Sequence, residues 1–260
     1  MRFKLTLRVE KEYFGNAIPI NYQYEQSAVI YRILSKSSEQ YAAWLHDNGF
    51  QLGHKRFKLF TFSRLIVPQY GIDKERERLI IQSDTVEWYI SFLPERSTER
   101  FIQGIFMSQS FEIGDSRSCV RFSVQDVEVM PALAYREEMT FETMSPICIS
   151  TKDDNRQIKY LSPSDLKAEG NIKLGLMHKY EAFYEKQYAG SLNFAFQVLV
   201  NDPKPVLIRI KAGTAEETRI KGYMCRFRIG LPEVLMKLMY ESGIGEKGSL
   251  GFGMVKLVTN

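Results

Sequence analysis

Ser242-Gly243-Ile244-Gly245-Glu246-Lys247-Gly248-Ser249-Leu250-Gly251-Phe252-Gly253-Met254-Val255 stands near the end of a 260-residue chain and carries five of its 17 glycines. Such density has a physical reason. Glycine takes positive φ without strain and has no Cβ, so amide N–H groups can converge on an anion, or one backbone can pack closely on another. Two nucleotide-binding readings fail on context. Gly243-x-Gly245-x-x-Gly248 matches the dinucleotide fingerprint in letters only, because it follows a helix and just 12 residues remain after it, too few for a βαβ unit. Read as a phosphate loop, the segment puts Ser249 where lysine is required. Upstream, Gly230-Leu231-Pro232-Glu233 places proline in the first turn of a helix whose apolar stripe is Leu235, Leu238 and Met239, and Phe252 to Val258 reads as a strand. Taken alone, the segment is either an anion cradle or a tight turn from helix to final strand.

Working outward, one order of elements occurs twice. In the second half a strand over Met139 to Ser150 precedes a long helix, opened by Ser162-Pro163-Ser164-Asp165 and reaching about Tyr188; strands follow over Leu192 to Val200, Val206 to Lys211 and Gly222 to Ile229. In the first half Arg2 to Val9 alternates as a strand, and a helical stretch runs from near Gln23 to near Asn48. Arg56 to Val67 and Arg78 to Ser83 read as strands, Glu99 to Met107 as helix and Ser116 to Met130 as strand. Strand, helix, strand, strand, helix, strand is the ferredoxin-like order. The expected fold is therefore α+β, two tandem ferredoxin-like domains over residues 1–132 and 133–260, with the junction in Pro131-Ala132-Leu133-Ala134. The first helical stretch breaks at Ser37-Ser38-Glu39-Gln40, where Ser37 and Gln40 fit a capping box. The break has a geometric consequence: in one straight helix Tyr31 and His46 would stand about 22 Å apart along the axis, whereas a helical hairpin can bring them together.

Composition narrows the class. Hydrophobic residues make up 44% and charged residues 25%, ordinary for a folded globular chain. No apolar run approaches the roughly 20 residues that span a bilayer, and the alternating start is no signal-peptide core, so a cytoplasmic protein without a membrane partner is expected. Cys119, Cys148 and Cys225 are odd in number and far apart, which suits neither a disulfide framework nor a zinc site. There is no His-x-Glu or His-x3-His spacing, and Asp153-Asp154 sits in a polar stretch; no metal and no cofactor is expected. A net charge of +4 permits a nucleic-acid partner without demanding one. Local charge says more. Between Gly53 and Arg64 the chain carries His54, Lys55, Arg56, Lys58 and Arg64 with no acid, and Lys221 to Arg228 interleaves Arg226 and Arg228 with Tyr223 and Phe227. Basic strands bearing aromatics suit RNA, since cations meet phosphates while rings stack on unpaired bases. Half-buried strands with solvated charges read the same way. An RNA-recognition motif is approached only over Lys221 to Phe227, where Arg226 replaces the required aliphatic residue.

The glycine-rich end, Gly-x-Gly followed by Gly251-Phe252-Gly253 after an amphipathic helix, resembles the closing loop of repeat-processing CRISPR-associated endoribonucleases of the repeat-associated mysterious protein superfamily. Tyr22, Tyr24, Tyr31, His46 and Lys58-Leu59-Phe60-Thr61-Phe62-Ser63 resemble that family's opening, and Thr143-Met144-Ser145-Pro146-Ile147 resembles the strand that begins its second domain. The likeness spans the whole chain. It implies that Tyr31, His46 and Lys58 form a catalytic set, and that CRISPR repeat RNA binds across the two domains. Lys55, Arg56, Arg226, Arg228, Gly243, Gly245, Gly248, Gly251 and Gly253 are the candidate RNA contacts. Other subunits of a CRISPR effector complex are further candidate partners.

RNA carries its own nucleophile, so cutting it needs a base for the 2′-hydroxyl proton, an acid for the departing 5′-oxygen and positive charge at the phosphate. His46 suits proton transfer; Tyr31, an ordinary tyrosine being a poor base at neutral pH, suits holding the 2′-hydroxyl or a phosphate oxygen, with a base role open; Lys58 supplies charge. Helical phase sets Tyr31 roughly 130° and His46 roughly 140° from the middle of their apolar faces. His54 competes with His46, and Lys55 with Lys58. His178 reads as a surface residue. A non-catalytic RNA-binding subunit of a CRISPR complex is the rival reading, one that would not need Tyr31, His46 and Lys58 together.

Overall fold

Alternation over Arg2–Val9 turns Phe3, Leu5, Leu7 and Val9 to one side, and this strand, β1, lies at the middle of a sheet. The structure is a computed structural model that describes residues 1–258. Two helices follow β1, α1 (Gln23–Ser37) and α2 (Glu39–Asp47), then β2 (Phe60–Phe62), β3 (Thr85–Phe92), α3 (Glu95–Met107), β4 (Ser110–Gly114) and β5 (Cys119–Val129). The sheet runs β2-β3-β1-β5-β4 with every neighbour antiparallel. Val29, Ile30, Ile33 and Leu34 of α1 join Phe101 and Ile105 of α3 over its buried face. The helices cross closely at Gly104, where a Cβ would sit 1.9 Å from the Ile33 carbonyl oxygen.

The second half repeats the plan with β6 (Glu138–Thr143), α4 (Ala168–Tyr184), β7 (Ala195–Val198), β8 (Arg226–Gly230), α5 (Glu233–Ser242) and β9 (Val255–Leu257). Its sheet runs β7-β8-β6-β9, again antiparallel. Phe141, Phe227 and Ile229 pack against Leu235, Leu238 and Met239 in a separate core. A hairpin of Lys204–Ile210 with Thr218–Met224 is inserted between β7 and β8. The link over residues 130–137 belongs to no strand or helix. Arg2 helps join the halves: wholly inside the protein, it donates to the carbonyls of Val255 at 2.6 Å and Tyr240 at 2.8 Å, with its guanidinium 3.6 Å over the Tyr240 ring. Among the described residues no helix is long and apolar enough to cross a membrane.

Several sequence readings need correction. Arg78–Ile81 is not a strand of the main sheet; it pairs with Ala17–Pro19 and Tyr70–Asp73 in a small lateral sheet. The position belongs to β3, whose Val86, Trp88, Ile90 and Phe92 point into the core with the period of two that marks a strand. The helix break is capped by Ser38, not Ser37: Ser38 Oγ accepts from the Tyr41 amide at 3.2 Å, while Ser37 Oγ bonds Gln103. Helix α3 starts at Glu95 and α4 at Ala168, and β9 starts only at Val255, because Phe252 to Met254 still belong to the loop.

Candidate functional site

The α1–α2 hairpin brings Tyr31 and His46 together, with ring centroids 5.1 Å apart and edge to face. Tyr31 also packs edge-on to Phe60 of β2 at 5.7 Å, so it is half-buried rather than turned fully outward. Burial drives its hydroxyl well above the usual tyrosine range, with the Ser249 hydroxyl beside it acting the other way. The phenol is thereby held neutral. The His46 side chain is 67% exposed, and its Nδ1 lies 2.9 Å from Asp47 Oδ1.

Lys58 reaches this pair because the chain reverses twice after α2. Gly49 takes φ +61 where a Cβ would stand 2.5 Å from the Phe57 carbonyl oxygen. The hairpin Phe50–Leu52 with Lys55–Phe57 then returns the chain to the end of α2, pairing Phe50 with Phe57. There Lys58 Nζ donates to the His46 carbonyl at 2.5 Å and Arg56 to the Asp47 carbonyl at 2.7 Å. These carbonyls are acceptors that a helix leaves unpaired at its negative end, so two cations settle there naturally. Burial chiefly, then Arg56, lowers the pKa of Lys58, and Asp47 opposes them. His54 sits exposed at the tip of the hairpin.

The glycine-rich segment is wedged between the halves. Ile244 donates to the Gly253 carbonyl at 2.9 Å, Gly253 to Pro146 at 2.8 Å and Glu246 to Cys148 at 2.8 Å. From the first half, Thr61 Oγ1 donates to the Phe252 carbonyl and Ser27 Oγ to the Ser249 carbonyl. Gly243, Gly251 and Gly253 are buried with positive φ, and a Cβ on Gly253 would meet the Ile244 carbonyl oxygen at 2.0 Å. At these positions glycine is demanded by packing. Gly245 and Gly248 line a cleft of about 540 Å³ between the hairpin, α4 and the loop, and packing demands glycine there too, since a Cβ would meet the Cys148 carbonyl oxygen at 2.4 Å and the Phe60 carbonyl oxygen at 2.7 Å. Among the described residues the amides of Lys247, Gly248 and Ser249 donate to no protein acceptor.

Lys55, Arg56, Lys58, Lys179 and Lys247 line that cleft together with Glu246. His178, read from sequence as a plain surface residue, meets Lys55 Nζ at 2.8 Å through Nδ1, linking the two walls; burial, then Lys55, lowers its pKa. Arg226 and Arg228 lie elsewhere. They project from the face of β8 opposite Phe227 and Ile229, and Arg228 stands 3.6 Å from Glu138. The structure thus gathers Tyr31, His46, Lys58, Lys55, Arg56, Gly245 and Gly248, and leaves Arg226 and Arg228 on the open face of the second sheet. Ser249, Lys179 and His178 are cleft residues that sequence reasoning missed. For Lys179 a signal existed, since it follows Ile172 and Leu176 on the buried stripe of α4.

Two α+β halves meet at a basic cleft, with a histidine and a desolvated tyrosine beside the lysine that lines it, an arrangement that suits an anionic partner. Comparison gives the family. The description "CRISPR-associated protein Cas6, N-terminal" matches residues 17–128, and "CRISPR associated protein Cas6, C-terminal" matches residues 129–257. CRISPR-associated endoribonuclease Cas6 1 of Methanocaldococcus jannaschii is 30% identical, the match covering 98% of this chain and 92% of that protein. The solved structure of a Cas6-related gene product from Pyrococcus furiosus superposes with a TM-score of 0.81 at 26% identity, covering 99% of this chain and 98% of the other. A structure described as an RAMP protein binding different RNA substrates gives 0.80 at 28% identity and full coverage of both chains. The chain belongs to the Cas6 family.

Proposed function

We propose that this chain binds CRISPR repeat RNA and cuts the precursor transcript without a metal ion, by attack of a 2′-hydroxyl on the adjacent phosphate. The observation that carries the reading is the meeting of Tyr31 and His46 with Lys58, which lines the basic cleft. Hydrogen bonding of His46 Nδ1 to Asp47 leaves Nε2 to exchange a proton with the RNA. Neutral Tyr31 donates its hydroxyl to the 2′-oxygen or a phosphate oxygen, and Lys58 offsets the charge that builds on the phosphorane. The O–P bond from the 2′-oxygen forms as the bond to the 5′-oxygen breaks, so the products carry a 2′,3′-cyclic phosphate and a 5′-hydroxyl. The named activity of the Methanocaldococcus jannaschii relative supports this. In both sheets the strand after the first helix lies at one edge and the strand after the last helix lies on the other side of the first strand, an order that supports two ferredoxin-like domains, 1–132 and 133–260.

The test is cleavage of the host's repeat RNA in excess EDTA, with and without a single 2′-deoxy substitution at the cut. Expected are the cyclic-phosphate product, no cutting of the deoxy RNA, and His46→Ala slower by roughly 10² to 10⁴ with affinity kept. Normal cutting of the deoxy substrate would refute attack by the 2′-hydroxyl, full rate in His46→Ala would take His46 out of the mechanism, and binding without any cutting would leave the non-catalytic RNA-binding reading in its place.

A further inference from the structure

Gly175 stands in the middle of the 17-residue helix α4, where glycine is a poor helix former. A glycine inside a helix usually has a packing reason, because a neighbour needs the room that a side chain would fill. At Gly104 the reason is plain, since a Cβ would lie 1.9 Å from the Ile33 carbonyl oxygen. Gly175 has no such neighbour. It is half-buried, yet outside its own helix backbone no atom lies within 4 Å of its Cβ position. It lines the cleft, so the room it leaves is room in the cleft.

Asn171 and His178 flank this notch. They lie four residues before and three after Gly175, hence on one face of α4, and both line the cleft. Among the described residues the side-chain amide of Asn171 has no hydrogen-bond partner. Lys55 fixes the state of His178: an ammonium can only donate, so Nδ1 accepts its bond at 2.8 Å and the neutral ring carries its proton on Nε2. Leu174 beside them is 51% exposed and adds apolar surface. The cations Lys55 and Lys58 come instead from the neighbouring hairpin and the residue after it. Cations suit the phosphates of a strand, whereas an apolar wall rimmed by a free donor and acceptor suits a base.

We propose that the Gly175 notch is the seat of one unpaired nucleobase of the repeat RNA, with the Asn171 amide and the Nε2–H of His178 reading its edge. The seat rests on the functional reading above. Lys58 of the proposed catalytic set lines the same cleft, so the base belongs to a nucleotide near the cut. Seating that base sets the register of the strand, and with it which bond is presented to His46. A side chain at position 175 would fill the seat.

The experiment measures affinity for repeat RNA made uncleavable by a 2′-deoxy at the cut, with each nucleotide near the cut made abasic in turn. Gly175→Leu fills the notch with a good helix former; Gly170→Ala, at the other glycine of α4, exposed and outside the cleft, is the control. Replacing a glycine inside a helix should raise the melting point of Gly175→Leu by about 2–4 °C. The more stable protein should nevertheless bind intact RNA about fivefold more weakly, the worth of one or two hydrogen bonds to a base. One abasic position should cost wild type about fivefold and Gly175→Leu less than about twofold, while Gly170→Ala keeps the wild-type profile. Asn171→Ala should lose discrimination among the four bases at that position and at no other. Equal abasic penalties in wild type and a folded Gly175→Leu overturn the seat, and so does a wild-type profile in which no single base matters. Should Gly175→Leu fail to fold, Asn171→Ala decides: unchanged discrimination at every position refutes the assignment. A wild type that neither binds nor cuts repeat RNA overturns the functional reading itself, an outcome distinct from an active wild type indifferent to position 175.

Discussion

Gly253→Ala should destabilise the protein by about 2 to 5 kcal/mol, from two separable sources. The residue has φ +76, a region that costs an L-amino acid roughly 1–2 kcal/mol. Its new methyl would also lie 2.0 Å from the Ile244 carbonyl oxygen and 2.9 Å from the Ile244 nitrogen. Those atoms cannot retreat cheaply, because Ile244 donates to the Gly253 carbonyl and Gly253 to Pro146. Overpacking of this kind adds about 1–3 kcal/mol. In a chain of this size each kcal/mol moves the melting point by about 2–4 °C, so a fall of roughly 5–20 °C is expected. Gly213 supplies the control: it shares φ +76 but has nothing within 4 Å of the Cβ position. Thermal melts followed by circular dichroism should place Gly213→Ala about 2–8 °C below wild type, the backbone cost alone, and Gly253→Ala well below both. If the two variants melt together, the close crossing of the loop's two arms is not what demands glycine. The same reasoning bears on RNA assays, since a bulky residue at Gly251 would strike the Phe62 ring at 2.6 Å and report folding before it reports binding.

Ser38→Ala should lose about 1 kcal/mol with the cap of α2, whereas Ser37→Ala should leave the melting point unchanged; the reverse pattern would return the cap to Ser37. Lys179 has its pKa lowered by burial from 10.5 to about 8. Between those values the unfolded chain binds more protons than the folded one, so this residue makes stability rise with pH from about 8 toward 10.5. Urea denaturation of wild type and Lys179→Met should therefore show the variant losing relative stability between pH 7.5 and pH 10; a constant difference would refute the burial of a titrating ammonium. Lys55→Ala, at an exposed cross-cleft contact, should shift stability by no more than about 0.5 kcal/mol and reduce the salt slope of RNA binding by about 0.7. An unchanged slope would take Lys55 off the RNA path.

Much of the fold was legible because each helix and strand reports its own buried face. Arg2–Val9 alternates, α1 shows its stripe, and the break after α1 marks the hairpin on which the Tyr31–His46 pairing depends. Thr85–Phe92 is equally periodic, but Arg78–Ile81, only a few residues earlier, fills the same place in the expected order. Contacts between residues far apart in the chain were another matter. Lys55 with His178 and Lys179 with Gly243 join residues 123 and 64 positions apart, and no local period encodes such a meeting.

The glycine-rich end shows where residue-level reading reaches its limit. Its two explanations, anion cradle and tight turn, rest on the same property of glycine, so composition alone could not choose between them. In the fold they coexist. Gly243, Gly251 and Gly253 are buried and fix the arms of the loop against Thr61, Phe62 and Ile244. Gly245 and Gly248 stand at the tip, on the cleft, where the Cys148 and Phe60 carbonyls leave a Cβ no room either. An anion cradle needs amides that face outward and do not move, and rigid arms provide the second condition. The tight turn is therefore what would make the cradle work: the glycines that pack hold in place the amides of Gly248 and Ser249, which are free to bind.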